Sequence, residues 1–332
     1  MEVQKRKSYL DIAKGFGIIF VILGHLDVGM LNTWLYSFDL PLFFIVAGIC
    51  FNPNYDFISF LRKKLRRCLI PYAFFGLFIV YVESKTGYLY ERRFKRNLNR
   101  ILVQERYSTL WFLATLLIAY ILFYGIVRLC RQNPIIVLGI SLPLSVVFVY
   151  LDQNHIRALY WNIDTAFIVL GFMALGYFLN NFKGSLDAIL AVSGWKRILL
   201  ITALLILNLV CYVGNMIVSE RSLEMYWNSY GFYPLMYGAA VFGTMFILLI
   251  SNAIKLPALE KLGKNSMTYF ALHQSVVMQP LALLFARTIF VHNAMELNMI
   301  IKKTVIFILT LAICFAVDSL IRLTKLRVIL GE

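Results

Sequence analysis

Charge is what this chain has least of. Asp, Glu, Lys and Arg make up 15% of its 332 residues, where soluble domains carry about 25%. Acidic residues are the scarcer sign, 17 against 32 basic ones, and histidine occurs only four times. Cysteine is sparse too. Cys50, Cys68, Cys130, Cys211 and Cys314 lie in or beside apolar segments without any CxxC spacing, which argues against a disulfide framework or a metal site and for buried small hydrophobes. No internal repeat, low-complexity linker or soluble appendage interrupts the chain, so residues 1–332 read as a single domain. These absences argue against a soluble enzyme, a disordered chain and a fibrous protein.

What fills the space is apolar. Hydrophobic residues reach 61%, and the mean hydropathy is +0.76. Runs long enough to cross a bilayer recur near Ile12–His25, Trp34–Phe51, Cys68–Val82, Leu110–Val127, Ile135–Leu151, Ile163–Leu179, Ile198–Val218, Phe232–Ile250, Met267–Phe290 and Met299–Ile321. The expected fold is therefore all-α: a polytopic integral membrane protein with about ten transmembrane helices. The alternation expected of barrel strands is absent. Asp11 and Lys14 interrupt the first run and no A-x-A-like site follows it, so it reads as a retained span rather than a cleaved signal.

The net charge of +15 would prompt a nucleic-acid reading in a soluble chain. Here the cations cluster between apolar runs, as at Lys5–Lys7, Arg62–Arg67, Arg128 and Arg131, Lys196 and Arg197, and Arg322–Arg327. That spacing predicts cytoplasmic termini by the positive-inside rule, with no nucleic-acid partner. One segment breaks the bias. Glu83–Ser108 carries Lys85, Arg92, Arg93, Lys95, Arg96, Arg100 and Arg106 on the expected outer face. It reads either as an amphipathic surface helix on anionic lipid headgroups or as a basic platform for an anionic acceptor.

With so few charges, those inside spans are informative. At about 100° per residue, the eleven steps from Lys14 to His25 return to the same helix face within about 20°, over a rise of about 16 Å. Asp11 shares that face. Gly15, Gly17 and Gly24 on this helix permit close packing, and Gly24 leaves room beside His25 for a ligand. Asp39 is expected at the depth of His25, where its carboxylate either orients the imidazole or simply sits at a helix start. Asn162 and Asp164 either cap a span or line a pocket. Trp111 is either a belt residue or a stacking surface. His273 is expected toward the cytoplasmic half of its span, and His155 and His292 in outer loops.

These residues resemble the acyltransferase-3 family of membrane O-acyltransferases. The opening run Asp11-Ile-Ala-Lys14-Gly15-Phe-Gly17 through Gly24-His25 is similar to the family signature of a basic residue, ten intervening residues and histidine, with lysine where many members have arginine. Phe38-Asp39-Leu40-Pro41-Leu42-Phe43-Phe44 with Ala47-Gly48, then Leu110-Trp111-Phe112-Leu113, then Leu262-Gly263-Lys264-Asn265-Ser266 through His273 resemble its later motifs, in order. The group nearest in pattern is that of fucose 4-O-acetylase and relatives. One departure is Asp39, where many relatives have histidine.

The resemblance implies transfer of an acyl group, usually acetyl, from cytoplasmic acyl-CoA to a hydroxyl of an extracytoplasmic glycan or lipid-linked sugar. It implies a bacterial plasma (inner) membrane setting, no metal and no bound cofactor, with acyl-CoA as co-substrate. On this reading His25 is the general base and Asp39 or Asp164 orients it; an acyl-His intermediate is the other route. Asp11, Lys14, Arg66, Arg67 and His273 are the expected acyl-CoA residues. Trp111, Asn162, Asp164, Arg93 and Arg106 are the expected acceptor residues. A transporter or flippase of a surface polysaccharide or its lipid-linked precursor is the competing reading, although no inverted-repeat signal supports it. A sensor or structural subunit is a third.

Overall fold

The computed structural model describes residues 7–85, 94–104, 106–154, 159–220, 223–288 and 295–331. Arg92, Arg93, His155 and His292 lie outside the described residues.

Apolar helix formers dominate the chain, and the described residues form helices with no strand; a lone bridge joins Glu224 to Ser229. In chain order the helices are α1 (Ser8–Gly24), α2 (Met30–Tyr36), α3 (Asp39–Ile49), α4 (Phe57–Lys64), α5 (Ile70–Lys85), α6 (Phe94–Val103), α7 (Trp111–Leu129) and α8 (Pro134–Asn154). Then come α9 (Ile163–Asn181), α10 (Ser185–Ala191), α11 (Gly194–Ser219), α12 (Tyr233–Ala253), α13 (Pro257–Lys264), α14 (Ser266–Leu272), α15 (Gln279–Thr288) and α16 (Met295–Leu323).

Eight helical stretches among the described residues are long and apolar enough to cross a membrane, two of them composite: Met30–Ile49 joins α2 and α3, and Phe57–Lys85 joins α4 and α5. They correspond to eight of the ten expected spans. The other two differ for identifiable reasons. α1 has 17 residues, about 26 Å at the helical rise, and carries two charges at one end. The expected span from Met267 is broken into α14, a π-helical turn over His273–Met278, and α15.

A second π turn, Leu65–Leu69, joins α4 to α5. Each π turn ends two residues before a proline, Pro71 or Pro280. A proline in a helix lacks the N–H for the i−4 carbonyl, and its ring presses on that carbonyl. Here the carbonyls are those of Arg67 and Val276, both inside the widened turns. The extra residue in each turn relieves the clash without ending the helix.

Burial sorts the spans into an interior and a rim. The Tyr160–Asn181 span has 72% of its most apolar window buried, against 22% for Pro134–Asp152 and for Gly194–Ser219. α9 packs against α3, α7 and α8, and α12 against α1, α3 and α11. The rim helices turn aliphatic side chains outward, as at Ile198, Leu199, Val210 and Ile217 on α11. An apolar exterior around a polar-bearing interior is the surface of a membrane protein. The segment Glu83–Ser108 holds the expected amphipathic surface helix, α6. Asn97 and Ile101 point inward, while Lys95 and Arg96 are exposed.

α1 and α13 meet backbone to backbone. A Cβ added at Gly263 would lie 1.7 Å from the Asp11 carbonyl oxygen, and one at Gly15 would lie 2.3 Å from that of Leu259. Only glycine permits this approach. Gly24 has a different role from the one expected. The Tyr36 ring fills the space where its Cβ would be, and the Tyr36 hydroxyl donates to the Gly24 carbonyl at 2.5 Å.

Gly263→Ala is expected to cost about 1–3 kcal/mol through overpacking, seen as a lower thermal transition of the detergent-solubilised protein. Gly139→Ala, whose new Cβ meets nothing within 4 Å, is the control and should not lower it. Equal transitions for the two variants would show that α1 and α13 do not touch in this way.

Candidate active site

One face of α1 carries Lys7, Asp11, Lys14, Ile18, Val21 and His25 at alternating steps of four and three. The first four line one cavity and the last two line another. The same-face relation expected for Asp11, Lys14 and His25 is therefore present. Phe270 borders both cavities. Its ring packs 4.7 Å from Phe112, which lines the first cavity with Phe43. An aromatic partition thus stands between the two spaces.

The first cavity, of about 550 Å³, is strongly basic. Lys7, Lys14, Arg67, Lys264 and Arg322 line it with Asp11 as the accompanying acid. Four of the cations each have an acidic neighbour: Lys14 to Asp11 at 2.6 Å, Lys264 to Glu260 at 2.5 Å, Lys7 to Asp187 at 3.3 Å and Arg322 to Asp318 at 3.0 Å. Arg67 has no ion-pair or hydrogen-bond partner among the described residues. Arg66 is not on the wall.

The second cavity, of about 350 Å³, contains His25. This residue caps α1 and exposes its ring to the space. Gln274 Nε2 lies 3.3 Å from His25 Nδ1. A side-chain amide serves either imidazole tautomer, by donating through nitrogen or accepting through oxygen. The His273 ring lies 5.1 Å from that of His25. His273 Nδ1 is 3.0 Å from the carbonyls of both Tyr269 and Phe270. Carbonyls only accept, so Nδ1 carries the proton and Nε2 is left bare. That Nε2 is buried with no partner among the described residues.

His273 therefore lies beside His25 at the C-terminal end of α1 and does not line the basic cavity, whereas the sequence reading expected it toward the cytoplasmic half of its span, among the acyl-CoA residues. The π turn begins at this residue. It aims both His273 and Gln274 at the end of α1.

Asp39 lines the His25 cavity, but its Oδ1 accepts from the Leu40 amide at 2.6 Å. It makes the helix-start contact, and Gln274 takes the place beside His25 that Asp39 or Asp164 was expected to fill. Trp111 is on the cavity wall as expected. Asn162 is buried behind it and reaches the Trp111 carbonyl at 3.4 Å.

Arg106 is not free to meet an acceptor. It donates to Asp164 at 2.8 Å and lies 3.6 Å from Asp152. Neither Arg106 nor Asp164 lines the cavity. They act through a loop instead. The Tyr226 hydroxyl donates to the Arg106 carbonyl at 2.6 Å, and Asn228 donates to Asp152 at 2.6 Å. These bonds hold Glu224–Trp227 over the cavity, where Trp111 and Tyr226 rings pack 6.1 Å apart. Burial pushes the Glu224 carboxyl above the usual range, and no neighbouring cation pulls it back.

The sequence reading missed Tyr36, Ser108, Thr109, Gln274 and the Glu224–Trp227 loop. Two signals were available: Gln274 follows the motif histidine directly, and Glu224-Met-Tyr-Trp227 is an acid with two aromatics between spans.

Residues 7–318 match the model of the acyltransferase-3 family, described as an acyltransferase domain. The chain belongs to this family. No significant match was found among curated proteins or solved structures. Membership in the acyltransferase-3 family makes acyl transfer the general chemistry.

In this acyltransferase Arg106→Met leaves Asp152 and Asp164 buried without their counter-charge. The expected loss is about 3–5 kcal/mol, measured as a lower thermal transition in detergent. Adding Asp152→Asn and Asp164→Asn should recover part of it. A triple variant no more stable than Arg106→Met would contradict the charge-pair account.

Proposed function

We propose that the protein transfers an acyl group, acetyl foremost, from cytoplasmic acyl-CoA to a hydroxyl of an extracytoplasmic glycan or glycolipid. His25 acts as the general base. One observation carries this reading: a single face of α1 lines a basic cavity and a second, acid- and aromatic-lined cavity, with Phe270 between them.

The basic cavity suits the phosphates of acyl-CoA. Lys14 and Arg67 are the principal cations, with Lys7, Lys264 and Arg322 beside them. Lys14 and His25 are about 16 Å apart along the helix, a distance comparable to the reach of a pantetheine arm. The thioester then meets the acceptor beside Phe270. His25 removes the proton from the acceptor hydroxyl as its oxygen attacks the thioester carbonyl. Collapse of the tetrahedral adduct breaks the C–S bond, and the CoA thiolate takes up the proton from the imidazolium. His25 is preferred to His273 because His25 is exposed to the cavity, whereas His273 is fully buried. Gln274 holds the His25 ring, making it a positioning residue.

The lysine and arginine distribution supports cytoplasmic termini, and α1 and the α14–α15 segment complete a bundle of about ten passes. A bacterial plasma membrane is the setting that accommodates such a donor and acceptor. The motif likeness to the fucose 4-O-acetylase group supports acetyl transfer to a sugar hydroxyl.

His25→Ala should lower transfer of labelled acetyl groups by about 10²–10⁴-fold in protein that still runs as a folded species. Transfer at the wild-type rate would rule out the assignment. Lys14→Ala should raise KM for acyl-CoA and leave that for the acceptor unchanged. The opposite pattern would remove Lys14 from the donor site.

A further inference from the structure

The cavity around His25 differs in charge from its surroundings. The chain is strongly basic overall, and the other cavity on the same face of α1 holds five cations. Yet the described walls of the His25 cavity carry two carboxylates, Asp39 and Glu224, and no lysine or arginine. Arg106, the cation nearest in sequence to wall residues Ser108 and Thr109, is committed to Asp152 and Asp164. Arg100 lies over the Tyr107 ring at 4.8 Å.

The remaining walls are aromatic. Trp111, Tyr226 and Trp227 line the cavity, Trp111 as a buried wall and Trp227 70% exposed despite its size. Flat rings beside carboxylates form a surface that takes a sugar in two ways. The C–H face of a pyranose covers the indole, and its hydroxyls donate to the acids. A volume of about 350 Å³ lies near the lower end for small-molecule pockets and suits one ring rather than a long oligosaccharide.

Resting on the acyl-transfer reading of this site, we infer that its acceptor is an uncharged pyranose, held between the Trp111 and Trp227 rings and the Asp39 and Glu224 carboxylates. Acidic sugars are excluded. A uronate carboxylate would enter beside the Asp39 and Glu224 carboxyl groups with no lysine or arginine on the described walls to offset it, in a setting where screening by water is weak. Discrimination here is repulsive as much as attractive. None of the basic residues described on α6 lines this space: Lys95 and Arg96 are exposed, and Arg100 stacks on Tyr107.

The test is ligand binding to the wild-type protein in detergent, without acyl donor, so that no turnover intervenes. A panel of neutral methyl hexopyranosides, 6-deoxy sugars included, is titrated beside the matching methyl hexuronides, with tryptophan fluorescence and calorimetry as readouts. The expected result is that at least one neutral glycoside binds and its uronide binds at least about tenfold more weakly. Glu224→Gln should narrow that gap, mainly by improving uronide binding. Trp227→Ala should weaken the neutral ligand without changing the gap. A uronide that binds as tightly as its neutral partner would overturn the inference, as would a panel in which nothing binds. Labelled acyl-CoA is then added to the same samples. Neutral sugar that binds but is never acylated would refute acyl transfer while leaving the acceptor-site inference standing.

Discussion

The close approach of α1 and α13 is the constraint on which the site depends. Gly15 and Gly263 let two backbones touch where any side chain would separate them. α14 starts at Ser266, two residues after α13 ends, and the His273–Met278 turn continues directly from it. Fixing α13 against α1 therefore fixes the histidine pair. It also brings Lys264 to the same cavity as Lys14. In an apolar medium the hydrophobic effect supplies little force between helices, so contact geometry of this kind carries the specificity.

A second constraint is that buried charge must be paired. Arg106 with Asp152 and Asp164, and Asp318 with Arg322, Asn265 and Thr268, are clusters in which ionic groups answer one another. Such clusters add little net stability compared with apolar packing, but losing one member is costly. Their value here is positional. The Arg106 cluster ties the turn before α7 to the loop holding Glu224, and the Asp318 cluster ties α16 to α13 and α14. Two polar groups left out of these arrangements bear on the cavities: the His273 Nε2 lies beside His25, and Arg67 is on the wall of the basic cavity.

Two prolines show how a local rule becomes a site feature. Pro71 and Pro280 each force a widened turn just before them, and the first turn carries Arg67 while the second carries His273 and Gln274. A regular helix through Gln274 would turn these side chains by a different angle. The extra residue resets the angle once and leaves the rest of the helix intact.

Much of the fold was legible in the sequence because a bilayer imposes a length and an apolar composition on each span. Eight of the expected spans recur for that reason, and an amphipathic surface helix, now α6, was one of the two readings of the basic Glu83–Ser108 segment. The Lys14–His25 face followed from helical periodicity alone, and the motifs pointed correctly to the acyltransferase family. Pairing between distant charges was not legible. Arg106 and Asp164 looked like ligands for an acceptor because their partner positions lie 46 to 58 residues away in the chain. Nor was the meeting of His25 with His273 and Gln274, about 249 residues apart, since periodicity carries no information between helices. The sequence by itself determined which residues share a helix face and how many charges the membrane interior must accommodate. Only the tertiary structure decided which of those charges neutralise one another and which remain to face a substrate, because that depends on helix packing distances set by glycines on separate helices.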